Sequence, residues 1–142
     1  NDLPQREAEC RNALHGRKMK IFFDSDPGYY YFGRLSVDWM SESNIDIVSI
    51  TADCDPYKYK LAPTVQEFDV SGTYSAVLSN GRMPACPTVT TDSEMEVTFN
   101  ESTFVFAEGT HTAPQLLLIQ GNNQLTIKGN GHIKFEYQEG DL

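Results

Sequence analysis

The chain has 142 residues, of which 39% are hydrophobic and 22% are charged, a globular composition for one domain or for one small domain and part of a second. Its formal charge of −9 argues against nucleic acid or an anionic membrane as the main partner, because like charges repel. The apolar run Leu116–Ile119 is strand-sized, far below the roughly 18 residues of a membrane span, so we predict no membrane segment.

The chain opens at Asn1 without an initiator Met and without an apolar leader, which favours a fragment of a longer gene product. Its cysteines, Cys10, Cys54 and Cys86, are odd in number and lack metal-ligand spacing. Reduced thiols in a protein made in the cytosol fit this pattern better than a disulfide framework or a zinc site. We therefore predict neither a bridge nor a metal.

Charge is unevenly distributed along the chain. Residues 1–60 hold 8 Lys and Arg against 10 Asp and Glu, whereas residues 61–142 hold 3 against 10. The change coincides with Leu61–Thr64, where Pro63 interrupts regular structure. We predict a domain boundary there, between residues 1–62 and residues 63–142.

The sequence pattern of residues 1–62 predicts a partial α+β domain. Pro4 can open a helix of about 11 residues that Gly16 ends, with Leu3, Cys10, Ala13 and Leu14 on one face. A hairpin follows, in which the turn Asp24–Gly28 joins Met19–Phe23 to Tyr29–Val37, with Trp39 placed after the strand. Residues 45–50 offer a third strand. One helix and three strands make a poorly closed core.

From Phe68 onward, hydrophobic side chains alternate at two-residue spacing and predict seven or eight short strands. The pairs or triplets are Phe68/Val70, Tyr74/Ala76, Met95/Val97/Phe99, Phe104/Phe106, Leu116/Leu118, Leu125/Ile127 and Ile133/Phe135/Tyr137. The turns predicted between them include Asn100–Ser102 and Gly129–Gly131, the latter read as a hairpin turn. This spacing indicates an antiparallel β-sandwich, so the chain as a whole is predicted to be mainly β.

Candidate catalytic groups are sparse. His15, His111 and His132 are scattered, and no nucleophile lies in a motif context. The carboxylate pairs Asp24/Asp26, Asp53/Asp55 and Glu94/Glu96 read better as solvated turn and strand charges than as acid/base or cation sites. We therefore predict no enzyme and no catalytic, metal or cofactor site.

Carbohydrate binding is the alternative that the residues leave open. β-Sandwiches can present exposed aromatic side chains that stack on sugar rings, and the chain offers five candidates: Trp39, Tyr57, Tyr59, Tyr74 and Tyr137. Aromatic residues in alternating strands more often belong to a core. A module for host cell-surface adhesion is therefore the second hypothesis.

Several ordered motifs carry a resemblance that spans nearly the whole chain. They are Lys20–Asp24, Tyr29–Arg34, Asp55–Tyr59, Asn80–Pro84, Pro87–Val89, Leu116–Leu118, Gly121–Asn123, Gly129–Gly131 and Phe135–Gly140. In their order and spacing these motifs resemble the siphophage distal tail protein family. The resemblance covers the later part of the family's N-terminal domain and its C-terminal domain, while the family's opening strands have no counterpart before Asn1.

The resemblance implies a virion structural protein, a hub that connects the tail tube to the tip or baseplate adsorption apparatus of a phage or prophage. It implies a ring-forming α+β domain ending in residues 1–62 and a galectin-like, jelly-roll type β-sandwich in residues 63–142. The expected partners are further copies in a hexameric ring of the complete protein, the tail tube protein, the tail tip or tail-associated protein and receptor-binding proteins. Assembly in the bacterial cytoplasm and a final location in the virion tail are implied as well.

The family motifs imply structural rather than chemical roles, because a galectin-like fold does not by itself bring sugar-binding residues. The residues matched to them are Tyr29, Tyr30, Tyr31, Gly33, Arg34, Pro56, Tyr57, Asn80, Gly81, Pro87, Gly121, Asn123, Gly129, Gly131 and Gly140.

Overall fold

A computed structural model of the chain describes residues 2–142, which are mainly β with one helix, as predicted. The elements are α1 (Leu3–Leu14), β1 (Lys18–Ile21), β2 (Tyr29–Glu42), β3 (Ile45–Cys54), β4 (Lys58–Lys60), β5 (Thr64–Asn80), β6 (Thr88–Thr91), β7 (Met95–Phe99), β8 (Ser102–Phe106), β9 (Gly109–Thr112), β10 (Gly121–Tyr137) and β11 (Gly140–Asp141). None of the described helical structure is long and apolar enough to cross a membrane.

The chain divides into two compact units, a first that ends at Lys58 and a second that comprises Tyr59–Leu142. The division falls inside β4 and close to Pro63. The identification of residues 1–62 and 63–142 as a ring-forming and a galectin-like domain stays a prediction.

In the first unit, the predicted helix and hairpin are present. Pro4 lies in the first turn of α1, and Gly16 has a φ of 78° just beyond its end, a left-handed conformation that glycine adopts without strain. The predicted apolar face is not buried, because Leu3 is exposed and Cys10 and Leu14 are half-buried. β1 pairs antiparallel with β2 across the turn Asp24–Gly28.

β2 is longer than predicted. It continues through Trp39 to Glu42 because β3 pairs with it antiparallel from Ile45 to Cys54, so Trp39 lies within a strand and not after one. Ser43 and Asn44 join the two strands with φ values of 50° and 71°, the backbone of a two-residue hairpin turn that matches the twist of the strands.

The second unit is β-sandwich-like and is organised around two strands of 17 residues, β5 and β10, which pair antiparallel along their whole length. On its other edge β10 pairs with two strands in succession, β7 through Thr126–Lys128 and β6 through Ile133–Glu136. β8 extends the sheet beyond β7, and β9 extends it beyond β6. The β5–β10 ribbon therefore contributes to both halves of a curled antiparallel sheet.

The prediction of a hairpin turn at Gly129–Gly131 is wrong, because these residues lie inside β10 where its partner changes from β7 to β6. Gly129 and Gly131 have φ values of 152° and 143°, and Gly72 of β5, opposite Gly129, has a φ of 81°. A Cβ at Gly131 would lie 2.1 Å from Oδ1 of Asp92. Glycine here allows the ribbon to bend and another segment to approach its backbone.

The second unit has seven strands from β5 to β11, in agreement with the predicted number, but the residues are divided among them differently. Phe68/Val70 and Tyr74/Ala76 belong to the single strand β5, and Leu125/Ile127 and Ile133/Phe135/Tyr137 belong to β10. Leu116 and Leu118 lie in a loop, where one isolated bridge joins Leu118 to Ala85. A two-residue alternation reports which side faces the core, but it cannot distinguish one bent strand from two.

The core of the second unit follows the predicted alternation. Its buried side chains are Val70, Ala76, Leu78, Ala85, Val89, Met95, Val97, Phe99, Phe106, Leu116, Leu118, Leu125, Ile127, Ile133, Phe135 and Tyr137. The predicted turn at Asn100–Ser102 is present as the link between β7 and β8, with positive φ at Asn100 and Glu101. The second unit therefore has a closed core of its own.

Candidate functional site

The β2–β3 hairpin carries apolar side chains on both of its faces. Directly paired residues of an antiparallel hairpin share a face. Trp39 pairs with Val48 on one face, and Met40 pairs with Ile47 on the other. We call the five exposed aliphatic residues of this hairpin the hairpin surface: Met40, Ile45, Ile47, Val48 and Ile50.

These side chains are well exposed, with Ile45 at 64%, Met40 at 58% and Ile50 at 53% of full accessibility. Every residue of β3 except Cys54 is exposed, so neither face of this strand is covered within the described part of the chain. Two-stranded ribbons are marginally stable alone, and contiguous exposed apolar patches mark interaction sites.

The first unit offers these residues little core to pack against. In its described residues the buried hydrophobic side chains are Leu35 and Val37. Full burial of one aliphatic side chain is worth about 1.5–3 kcal/mol, so covering the exposed part of five of them would stabilise a complex by several kcal/mol. The hairpin surface is therefore the strongest candidate for a contact that this unit makes with another chain.

The β1–β2 hairpin presents a second kind of surface, in which lysines lie over aromatic rings. The Nζ atoms of Lys18 and Lys20 lie 4.6 Å and 4.5 Å from the ring centroids of Phe32 and Tyr30. Such cation–π contacts are worth about 0.5–1 kcal/mol at exposed sites. They order the strand that contains the matched motif residues Tyr29–Tyr31.

Asp26 ties this hairpin to Lys58. Nζ of Lys58 lies 2.8 Å from Oδ2 of Asp26 and 4.4 Å from the Tyr29 ring centroid, and the Tyr31 hydroxyl donates to the same Oδ2 at 3.2 Å. The hydrogen bond from Lys58 holds the pKa of Asp26 below its ordinary value and raises the pKa of Lys58. This carboxylate is therefore a structural partner of a lysine.

The remaining motif residues of the first unit lie along β2 and after β3. A Cβ at Gly33 would lie 2.8 Å from both the Asp53 carbonyl oxygen and Sγ of Cys54, so the paired strand leaves no room for a side chain. Arg34 donates to the Gly16 carbonyl oxygen at 2.5 Å. Pro56 is exposed and Tyr57 half-buried in the segment between β3 and β4.

In the second unit, Asn80 and Asn123 are buried and hold loops in place. Nδ2 of Asn80 donates to the carbonyl oxygens of Met83 and Leu118, and Asn123 accepts from the amide of Ile119 at 2.9 Å. Among the other matched residues, Pro87 is fully buried, Gly121 begins β10 with a φ of 95°, and a Cβ at Gly81 would lie 2.8 Å from the Gly140 carbonyl oxygen.

Glu139 is a buried carboxylate that the sequence did not single out. Nζ of Lys60 lies 2.5 Å from its Oε2, and the Thr64 hydroxyl donates to the same oxygen. Burial alone would raise the pKa of Glu139, but the hydrogen bonds from Lys60 and Thr64 outweigh it and hold the pKa below its ordinary value. This ionised carboxylate joins Lys60 of β4 and Thr64 at the start of β5 to the segment that follows β10.

His132 lies on the solvent side of β10 within a polar cluster that the sequence also missed. Nδ1 of His132 lies 2.8 Å from Oδ1 of Asp69, Nε2 lies 3.3 Å from Oε1 of Glu67, and the backbone amide donates to Asp92 at 2.8 Å. The hydrogen bonds with Asp69 and then Glu67 raise the pKa of His132. A concavity beside this cluster is lined by Glu67, Thr90, Thr91, Asp92, His132 and Lys134.

Two of the candidate carboxylates take part in ion pairs, and Asp53 and Asp55 line one concavity with Lys18 and Arg34. Asp26 and Asp55 each pair with a lysine, Asp55 with Lys18 at 3.0 Å. Among residues 2–142, no three His, Cys, Asp or Glu side chains are arranged to hold a metal ion. Of the aromatic candidates for sugar stacking, Tyr137 is buried and Tyr74 packs on Phe68 with ring centroids 5.3 Å apart.

The contacts that the sequence missed join residues far apart in the chain, 63 positions for Asp69 and His132 and 79 for Lys60 and Glu139. No local motif signals such pairs. The hairpin surface did have a local signal, since apolar residues at both 39 and 40 and at both 47 and 48 break the two-residue alternation of a half-buried strand.

No protein-family model matches the chain, and no curated protein matches it. The solved structures with a weak likeness to the chain include the following two. The putative ethanolamine utilization protein Q of Salmonella typhimurium is 12% identical, with a TM-score of 0.25 over 75% of this chain and 94% of that chain. The cupin domain of Schizosaccharomyces pombe Cnp3 is 14% identical, with a TM-score of 0.25 over 73% of this chain and 85% of that chain. TM-scores this low carry no argument about function.

Proposed function

We propose that this chain is a structural assembly protein, and in particular a distal tail hub protein of a phage or prophage that connects the tail tube to the tip or baseplate adsorption apparatus. One observation carries the proposal: the first unit exposes the hairpin surface and has almost no core of its own to cover it. A subunit that is completed by its neighbours has this property.

The two units suit different tasks in such a hub. Net charge is −2 over residues 1–60 and −7 over residues 61–142, so copies of the first unit can approach one another with little repulsion. The second unit has a closed core of its own, as a module that projects from a ring requires. The ordered motifs that resemble the distal tail protein family provide the particular identification.

The test is the native mass of the full chain and of two matched variants. Ile47→Glu places a charge beside Met40 and Ile45 on one face of the hairpin surface. Thr51→Glu places the same charge on the same face of β3 at a polar, exposed position. We expect the wild-type protein and Thr51→Glu to form the same assembly and Ile47→Glu to dissociate from it. Equal masses for all three proteins, with unchanged circular dichroism, would contradict an assembly role for the hairpin surface.

A carbohydrate-binding module for cell-surface adhesion is the second candidate, and the concavity beside His132 favours it. Sugar hydroxyls need convergent polar side chains, and this concavity offers Glu67, Thr90 and Lys134. Binding of cell-wall polysaccharide that Lys134→Ala abolishes and Lys128→Ala does not would support this candidate. Absence of binding to any glycan would remove it.

A further inference from the structure

β5 is a long edge strand that lacks the usual features that prevent an edge strand from pairing with another chain. It has 17 residues and pairs with β10, and within residues 2–142 no other strand pairs with it. Within the described residues no second strand engages its outer edge, although near the end of β5 the Ser79 carbonyl oxygen accepts from the Tyr137 hydroxyl. By contrast, the edge strands β8 and β9 have five and four residues, short enough to offer a poor template.

The part of β5 from Val70 to Asn80 contains no charged residue and no proline. Natural edge strands usually carry lysine, proline or an inward-pointing charge that prevents pairing with another chain. On the solvent face of this segment Ser75 is exposed and Val77 is 50% accessible. On the opposite face, beside the buried Ala76, Tyr74 is 39% accessible. Gly72, with a φ of 81°, lies near the start of this segment.

The charges that flank this segment have opposite signs at its two ends. Glu67 and Asp69 precede it, and the exposed Arg82 follows it. When two identical strands pair antiparallel, the acidic end of each meets the basic end of the other, whereas parallel pairing would bring acid against acid. The charge pattern of β5 is therefore complementary to itself in the antiparallel orientation.

We propose that β5 pairs antiparallel with β5 of a second copy of this chain, about a two-fold axis close to Ser75. In this arrangement Thr73 of one copy lies opposite Val77 of the other, and Tyr74 lies opposite Ala76, so Val77 and Tyr74 each gain a cross-strand neighbour. The interface is isologous, because the same segment serves on both sides. It lies in the second unit, goes beyond the proposed hub function and does not depend on the hairpin surface.

The first test is a cross-link at the axis. Ser75→Cys places a thiol at an exposed position of β5. Gln124→Cys is the control: it is also exposed and on the same face of the sheet, but it lies on the neighbouring strand β10, opposite Val77. Both variants keep Cys10, Cys54 and Cys86. Under mild oxidation with oxidised glutathione, we expect Ser75→Cys to form a disulfide-linked dimer at least about tenfold faster than Gln124→Cys. Equal rates would overturn the proposal.

The second test uses charge and leaves the backbone intact. Ser75→Glu places two carboxylates against each other at the axis, and Gln124→Glu adds the same charge away from it. Both variants are made in the Ile47→Glu background, and sedimentation equilibrium measures the dimer dissociation constant of each. We expect this constant to rise about tenfold or more for Ser75→Glu and to stay unchanged for Gln124→Glu. A protein that stays monomeric in that background, or that binds equally in both variants, would contradict the pairing of β5. Failure of the hub proposal would show instead as an Ile47→Glu variant that assembles like the wild type.

Discussion

The Tyr137 hydroxyl donates a hydrogen bond of 2.5 Å to the carbonyl oxygen of Ser79, although 58 positions separate the two residues. Tyr137 pairs with Thr64 at one end of the β5–β10 ribbon, and Ser79 pairs with Asn122 at the other end. The ribbon is thus folded back so that its two ends meet, and one buried side chain joins the two halves of the second unit.

The first prediction concerns this hydrogen bond. Tyr137 is only 3% accessible, and Tyr137→Phe keeps its buried ring but leaves the Ser79 carbonyl without its donor. An unsatisfied buried acceptor costs about 1–3 kcal/mol, so we expect the free energy of unfolding in urea to fall by that amount. Tyr74→Phe, a half-exposed tyrosine of the same unit, is the matched control and should change it by less. A Tyr137→Phe protein as stable as the wild type would refute the closing role of the hydroxyl.

The second prediction concerns alkaline pH. Burial, and then the negative charge of Glu139, raise the pKa of Tyr137 to about 12 from an ordinary value of 10.0. The folded state therefore binds the phenolic proton of Tyr137 more tightly than the unfolded state does. The stabilisation of the fold by this protonated hydroxyl is fully present below pH 10 and is lost as the pH rises toward 12. The stability of the wild type should fall over this interval more steeply than that of Tyr137→Phe. Parallel pH profiles for the two proteins would show that Tyr137 does not titrate as we expect.

The third prediction concerns His132. The raised pKa of His132 means that the folded state stabilises the imidazolium. The resulting gain in the free energy of unfolding is complete below the unfolded-state pKa near 6.5, and it is lost as the pH rises through the folded-state pKa. Because the hydrogen bond to Asp69 is the largest cause, Asp69→Asn should lower the pKa of His132 more than Glu67→Gln does. An NMR titration of the imidazole measures both shifts. The reverse order would show that Glu67, and not Asp69, is the dominant partner.

The fourth prediction concerns the bend of the β5–β10 ribbon. Gly131→Ala would bring a Cβ to 2.1 Å from Oδ1 of Asp92 at a φ of 143°, whereas Gly121→Ala meets no atom within 4 Å at a φ of 95°. Both substitutions strain the backbone, but only the first must also displace a neighbouring side chain, that of Asp92, which accepts from the His132 amide. We expect a loss of about 1–2 kcal/mol for Gly121→Ala and about 2–4 kcal/mol for Gly131→Ala in thermal unfolding. Similar losses would indicate that the Asp92 side chain moves aside freely.

Local signals in the sequence identify the helix opened by Pro4, the β1–β2 hairpin and the alternating core of the second unit, because each depends on neighbouring residues. The Gly129–Gly131 segment could not be placed, since the same glycines serve a tight turn and a bend within one strand. The bend is recognised only once Asp92 is known to lie against it, a contact made by folding. The Asp69–His132 and Lys60–Glu139 pairs are likewise products of the tertiary fold.

The most direct test of the central claim is the native mass of the protein, with negative-stain images of the same sample. We expect a six-copy ring that Ile47→Glu disrupts and Thr51→Glu preserves, because only the former charges the hairpin surface. A protein that remains monomeric at high concentration would contradict the assembly function, and a glycan-binding screen would then become the next experiment.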